Sequence, residues 1–295
     1  MSDNDVGKHY DAITQSYHEH YDREKLLSTV QYPANYFRLQ LLLNSFVEKG
    51  VKRVLEVGVG EGTPLVTLAQ AGIDVSGFDI SSEMVKKARE NAKRAGLDPG
   101  HIFWGDIQDP ITYAPCLREG LFDGVVAMGV MPHVENDEMV LTNMAACVRE
   151  GGTLFVEFRN KLFSLFTFNR HTMQFILEDL LDGVDEGIRE LVRKEIEPRL
   201  RMDLPPVRDR VAGKDAPGYD AILSRFHNPF QIEALFKKLG FRDIRFLWYH
   251  YHPAMPSLEP SAPGLFRREA FRLEHEGSGW RGLFLCSAFV VEATR

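Results

Sequence analysis

Short apolar runs alternate with helix-periodic segments through the middle of the chain. The runs VKRVLEVG, GIDVSGFD, HIFWGD, FDGVVAMG and GTLFVEF all fall within residues 51–158. Each has the length of a strand and ends in, or is followed by, glycine or a charged residue. The segments between them are amphipathic. In SSEMVKKARENAKRAG, Ser81 or Ser82 can cap a helix, Val85, Ala88, Ala92 and Ala95 share one face, and Gly96 ends it. Strand–helix alternation with short links predicts parallel strands joined by right-handed crossovers, with helices on both faces. The expected class is α/β, a doubly wound, mostly parallel sheet.

Three flanking regions change the texture. Residues 1–50 are expected to form a helical cap, with Phe37, Leu41, Leu42 and Phe46 at helical spacing and Gly50 as a stop. Residues 159–228 break the alternation. They hold two helical stretches, TMQFILEDLLDG and VDEGIRELVRKEIEPRL, then the loop DLPPVRDRVAGKDAPG. A long insertion after the fifth strand sits beside the ligand-binding edge, so a lid is expected there. Residues 229–295 return to the core with the helix PFQIEALFKKLG and the runs FRDIRFLWYHYH and LFLCSAFVVEA, which bring the strands to seven. The Pro-rich HPAMPSLEPSAPG separates the last two runs, which predicts an antiparallel pair joined without a helix crossover.

Composition narrows the partners. The 295 residues carry 35 Lys and Arg against 42 Asp and Glu, a balance of −7, which disfavours a broad electrostatic grip on nucleic acid. Cys116, Cys147 and Cys286 are far apart in sequence and form no Cys-x-x-Cys pair, so small buried thiols are expected rather than disulfides or zinc ligands. The polar start MSDNDVGKHYDAITQSYHEHYD has no apolar signal core, and no run reaches the roughly 18 apolar residues of a membrane span. The expected address is the cytoplasm and the expected partner a small molecule.

The sharpest signal is VLEVGVGEGTP at 54–64. An apolar strand runs into Gly58, Gly60 and Gly62, and Thr63 and Pro64 are expected as cap and first residue of the next helix. Glycines let a ligand lie on bare backbone, and a helix start offers free N–H groups. Asp79, at the end of the second strand, can accept hydrogen bonds from both hydroxyls of a ribose. Two cofactor classes remain. A dinucleotide fingerprint needs its third glycine where Thr63 stands. This chain has Gly-x-Gly-x-Gly preceded by Glu56, and a carboxylate there suits an ammonium group better than a pyrophosphate.

In this order the motifs resemble those of the class I S-adenosylmethionine-dependent methyltransferases. VLEVGVGEG is similar to their first motif, GFDIS to the second and HIFWGDI to the third. FDGVVAMGVMPHV and VREGGTLFVEF are similar to the fourth and fifth, and HYDAITQSYHEHYD to the helix that covers the cofactor in many small-molecule members. The resemblance spans residues 10–158, returns at 229–295 and leaves the insertion unmatched. It implies that Gly58, Gly60 and Gly62 pass around the methionine part of S-adenosylmethionine and that Glu56 helps orient the amino group. It also implies Asp79 on the ribose, Ile80 against the adenine, Asp106 and Ile107 at the adenine edge, and Gly129 near the amino group. Tyr10, Tyr17 and Arg38 would close over the cofactor, Arg38 pairing its carboxylate.

A sulfonium methyl is already activated, so alignment and water exclusion carry most of the rate, up to about 7–11 kcal/mol in ideal cases. A neutral amine attacks unaided, whereas a hydroxyl needs a base. His133 in MGVMPHVEN and His227 in RFHNPF are the candidate bases. His250 and His252 lie on a strand and are expected to be structural. Glu157, Arg159 and Asn160 are placed where they can face substrate, and Phe163, Phe166, Phe168 and Phe175 could form an apolar wall. AMGV stands where adenine and glutamine amino-methylating members carry Asn/Asp-Pro-Pro-Tyr/Phe, and no cluster has metal-ligand spacing. The expected reaction is methyl transfer to a small-molecule hydroxyl, with S-adenosylhomocysteine as product. An amine acceptor is the alternative, and an NAD-dependent dehydrogenase the more distant one.

Overall fold

A computed structural model describes residues 3–13 and 32–295. A helix over Asp3–Ile13 (α1) and another over Ala34–Glu48 (α2) precede the first strand. The alternation then runs β1 (Arg53–Val57), α3 (Thr63–Gln70), β2 (Asp74–Asp79), α4 (Ser82–Arg94), β3 (Ile102–Trp104), β4 (Phe122–Ala127), α5 (Asp137–Cys147) and β5 (Val148–Arg159). Among the described residues the sheet has seven strands in the order β3-β2-β1-β4-β5-β7-β6, with β6 at Arg242–Tyr251 and β7 at Cys286–Thr294. The first five strands pair in parallel, and β7 pairs antiparallel with both β5 and β6.

Helices cover both faces of the central strands, which is why those strands are mostly apolar. Leu55, Val57, Val125, Ala127, Leu154 and Val156 are fully buried. Gly124 leaves room for Phe46, whose ring atoms would lie 2.9 Å from a Cβ at that position. The strand order reverses between β1 and β4. The loops after β1, β2, β3 and β4 therefore open on one carboxyl edge, where folds of this kind bind ligands.

Helix ends follow the sequence closely but not everywhere. Ser81 caps α4, its hydroxyl accepting from the Met84 N–H at 3.0 Å. At α3 the cap is Gly62, in left-handed backbone at φ 87°, and Thr63 and Pro64 are the first two helical residues. The expectation that Thr63 caps is thus corrected. Glycine takes the turn at no steric cost, and a Cβ there would crowd Ala88 of α4 at 3.1 Å.

The junction of β6 and β7 is a second correction. The pair is antiparallel, but α10 (Pro263–Leu273) lies between them. Phe266, Ala270 and Leu273 of that helix are buried. They are too few to stand out beside the Pro-rich run that precedes them.

The insertion leaves the sheet at Arg159 and returns at His227. The His227 N–H donates to the Arg159 carbonyl at 2.7 Å, and the Lys161 N–H to the His227 carbonyl at 3.0 Å. Asn160, 1% exposed, fastens this base by donating to the Cys286 carbonyl at 2.8 Å. It therefore does not face a ligand. The insertion contains α6 (Ser164–Thr167), α7 (Arg170–Gln174), a π-helical turn (Phe175–Leu180) and α8 (Glu186–Ile196). The chain then resumes with α9 (Pro229–Lys238). Asp11 of α1 accepts from the Ser81 hydroxyl, and His9 bonds the Pro217 carbonyl of the insertion at 2.8 Å. α1 thus bridges the second βα loop and the insertion.

Candidate active site

Two cavities meet at the carboxyl edge. A narrow cleft of about 80 Å³ is lined by Gly58 and Gly60 from the glycine loop, Asp79 and Ile80 after β2, and Asp106 and Ile107 after β3. Gly129 after β4 and Tyr10 of α1 close it. A larger cavity of about 790 Å³ lies beside it, walled by the ends of β5 and β6 and by the insertion. Tyr10, Gly129 and His133 line both.

The fold therefore brings Tyr10, Gly58, Gly60, Asp79, Ile80, Asp106, Ile107, Gly129 and His133 together. Glu56 and Gly62 sit in the supporting structure and line neither cavity. Arg38 faces the larger cavity, and Tyr17 lies outside the described residues. His227 lines neither cavity. Its Nε2 is 3.3 Å from Asp137 Oδ1, and its ring packs edge-on to Phe158 at 5.0 Å. The strand bridge that closes the insertion holds it there.

The cleft concentrates carboxylates. Asp79 accepts from the Gly60 N–H at 2.8 Å and the Ser81 N–H at 2.9 Å. Burial pushes its pKa up to about 6 against the pull of those two donors. Glu56 is 2% exposed, its Oε2 has no hydrogen-bond partner among the described residues, and burial holds its pKa well above the usual range although Arg38 opposes this. Glu157 is engaged: Arg38 Nη1 donates to its Oε2 at 3.1 Å, and the Gly129 N–H donates to the same atom. An orphaned buried carboxylate beside a half-buried aspartate fits a ligand that carries positive charge.

Glycine is required at position 58. Its φ is 77°, and a Cβ would lie 2.2 Å from Val130 Cγ2. Gly58→Ala is expected to destabilise the fold by about 1–3 kcal/mol and to close the cleft. Thermal melting and S-adenosylhomocysteine calorimetry check this. Removing the clash with Val130→Ala should recover part of the stability.

His133 stands at the junction. Its Nδ1 lies 2.6 Å from the Leu223 carbonyl, which can only accept, so Nδ1 carries the proton. Its Nε2 accepts from the Tyr10 hydroxyl at 2.9 Å. Burial is the main cause that drives its pKa down to about 4, helped by the charges of Arg159 and His9 and opposed by the Leu223 bond. A neutral imidazole with its lone pair at the cavity junction can accept a proton there.

The rest of the large cavity was only partly legible. Tyr219, from the unmatched insertion, lies 5.7 Å ring to ring from His133, and no sequence signal marks it. Phe163 lines the wall, whereas Phe175 is buried in packing and Phe168 is exposed. His250 and His252 line the cavity too, and among the described residues neither ring nitrogen of His252 has a hydrogen-bond partner.

Residues 54–152, which carry the glycine loop and the acids of the cleft, match a family model described as a methyltransferase domain. The ubiquinone biosynthesis O-methyltransferase of Pectobacterium atrosepticum is 29% identical over 167 residues, 54% of this chain and 63% of that protein. The phosphatidylethanolamine N-methyltransferase of Cereibacter sphaeroides is 36% identical over 104 residues, 35% of this chain and 49% of that one. The chain thus spans under two thirds of the length of these curated relatives. Magnesium protoporphyrin IX methyltransferase of Synechocystis PCC 6803, solved with bound S-adenosylhomocysteine, superposes with a TM-score of 0.51 at 15% identity. That likeness covers 99% of this chain and 100% of the other, and it speaks for the fold. Residues 54–152 thus match a methyltransferase domain, in a chain that shares its fold with a solved methyltransferase. Among the described residues, no helix is long and apolar enough to cross a membrane.

Proposed function

We propose that the protein transfers a methyl group from S-adenosylmethionine to a hydroxyl of a small molecule. The observation that carries this reading is the meeting of the two cavities at Tyr10, Gly129 and His133. One cavity is built from the glycine loop and its acids, and the other has room for an acceptor.

The cofactor residues follow from the cleft. Gly58 and Gly60 would lie along its methionine part, Asp79 would take the ribose, and Ile80, Asp106 and Ile107 would flank the adenine. Glu56 would offer its buried Oε2 beneath the loop, and Arg38, beside Gly129, would face the carboxylate. When bound, S-adenosylmethionine supplies an activated methyl group. The chain orients the acceptor, excludes water with α1 and the insertion, and takes up the hydroxyl proton at His133 Nε2. Tyr10 must yield that hydrogen bond as the acceptor enters. A hydroxyl is favoured over an amine because the junction holds a neutral imidazole with an accepting nitrogen, which an amine does not need. The insertion acts as the lid. A cytoplasmic address fits the free, buried thiols of Cys116, Cys147 and Cys286.

Calorimetry with S-adenosylhomocysteine and with NAD tests the cofactor assignment. Heat from the former and none from NAD is expected. The reverse pattern would restore the dehydrogenase reading.

A further inference from the structure

Arg159 ends β5 in the wall of the large cavity. Among the described residues its guanidinium makes no hydrogen bond or ion pair. It is held over the Tyr219 ring, with Cζ 4.7 Å from the centroid. The other arginines of that wall are matched by carboxylates. Arg38 pairs with Glu157 at 3.1 Å, Arg201 with Asp203 at 3.0 Å and Arg208 with Asp220 at 3.3 Å. Glu157 lies two residues before Arg159 on the same face of the strand, but its Oε2 already accepts from Arg38 and from Gly129.

A guanidinium does not shed its proton at any working pH. One that is half-buried without a carboxylate is an incomplete ion pair. Resting on the methyl-transfer reading, we propose that the acceptor is a hydroxylated aromatic carboxylate, and that Arg159 binds its carboxylate while its hydroxyl faces His133. A guanidinium with no directly bonded carboxylate among the described residues matches a monoanion, and the planar fork matches a carboxylate. Tyr219 sets the spacing, because the same ring stands against both Arg159 and His133. Tyr219, Tyr249, Phe163 and Phe226 offer flat apolar walls for a ring between the two ends. Arg159 is therefore a specificity-determining residue that lies outside the cofactor cleft.

The test is calorimetry on the full chain. S-adenosylhomocysteine is titrated first, so a failure of the methyl-transfer reading registers in that titration and not in the acceptor titration. The loaded protein then receives 4-hydroxybenzoate or 4-hydroxybenzamide, which differ in charge and little in shape. The benzoate should bind at least tenfold tighter. Arg159→Met should abolish that preference and leave S-adenosylhomocysteine affinity and melting temperature in place, and Arg159→Lys should keep part of it. Equal affinity for the two probes, a preference that survives Arg159→Met, or no heat from either would overturn the assignment.

Discussion

His133→Ala is expected to lower kcat for a hydroxyl acceptor by about 10²- to 10⁴-fold, the span of a lost general base. S-adenosylhomocysteine affinity should barely move, because His133 borders the cleft without holding the glycine loop. The Leu223 carbonyl fixes its tautomer and the Tyr10 hydroxyl marks the direction of its lone pair. The pH profile carries a second signature. An exposed histidine base would lose activity as pH falls through about 6.5. Burial pushes this one down to about 4, so it is neutral and competent across that range. At saturating cofactor, kcat should stay level through pH 6.5 and bend only nearer 4. The same shift has a stability consequence of fixed sign. The unfolded chain takes up a proton that folded His133 refuses, so stability falls as pH drops from about 6.5 towards 4. Unchanged turnover in His133→Ala would remove the base and favour an amine acceptor, which needs none.

Periodicity and glycine chemistry carried much of this architecture. The parallel core was legible because strands covered on both faces must be mostly apolar, as Val54 to Val57 are apart from Glu56 and Phe122 to Ala127 apart from Asp123. The cleft was legible because a ligand lying on bare backbone demands glycine at set positions, and Gly58 meets Val130 too closely for any side chain. The acceptor cavity was not. Its walls come from elements distant in sequence, such as Tyr219, Arg159 and Tyr249, and no local spacing records that they meet. His133 and His227 look alike in sequence, each near a Pro and before a helix. One faces the junction and the other is locked under the insertion, a difference made by the Asn160–His227 bridge. The α10 helix escaped notice because its buried face is only a few residues deep.

Asp79→Ala should cost the most in cofactor binding, with S-adenosylhomocysteine affinity falling about 10²-fold or more. A carboxylate that accepts charge-assisted hydrogen bonds contributes about 1.5–3 kcal/mol, and this one holds the loop as well as facing the ligand. Its two oxygens accept from Gly60 and Ser81, so the substitution also strips the glycine loop of its anchor to the end of β2. Asp79→Asn separates the two roles. The amide oxygen can still accept from one of these N–H groups, but the NH₂ end cannot accept from a ribose hydroxyl. Its loss should be smaller than that of Asp79→Ala yet still at least tenfold, with a melting temperature closer to that of the parent. Acid should mimic the Asn variant, because Asp79 takes up a proton near pH 6. S-adenosylhomocysteine affinity of the parent protein should therefore weaken as pH falls below about 6, whereas Asp79→Asn loses that dependence. Calorimetry of both variants between pH 5 and 8 decides it. Equal affinity in all three proteins would mean that Asp79 only fastens the loop, and the ribose would have to be held elsewhere.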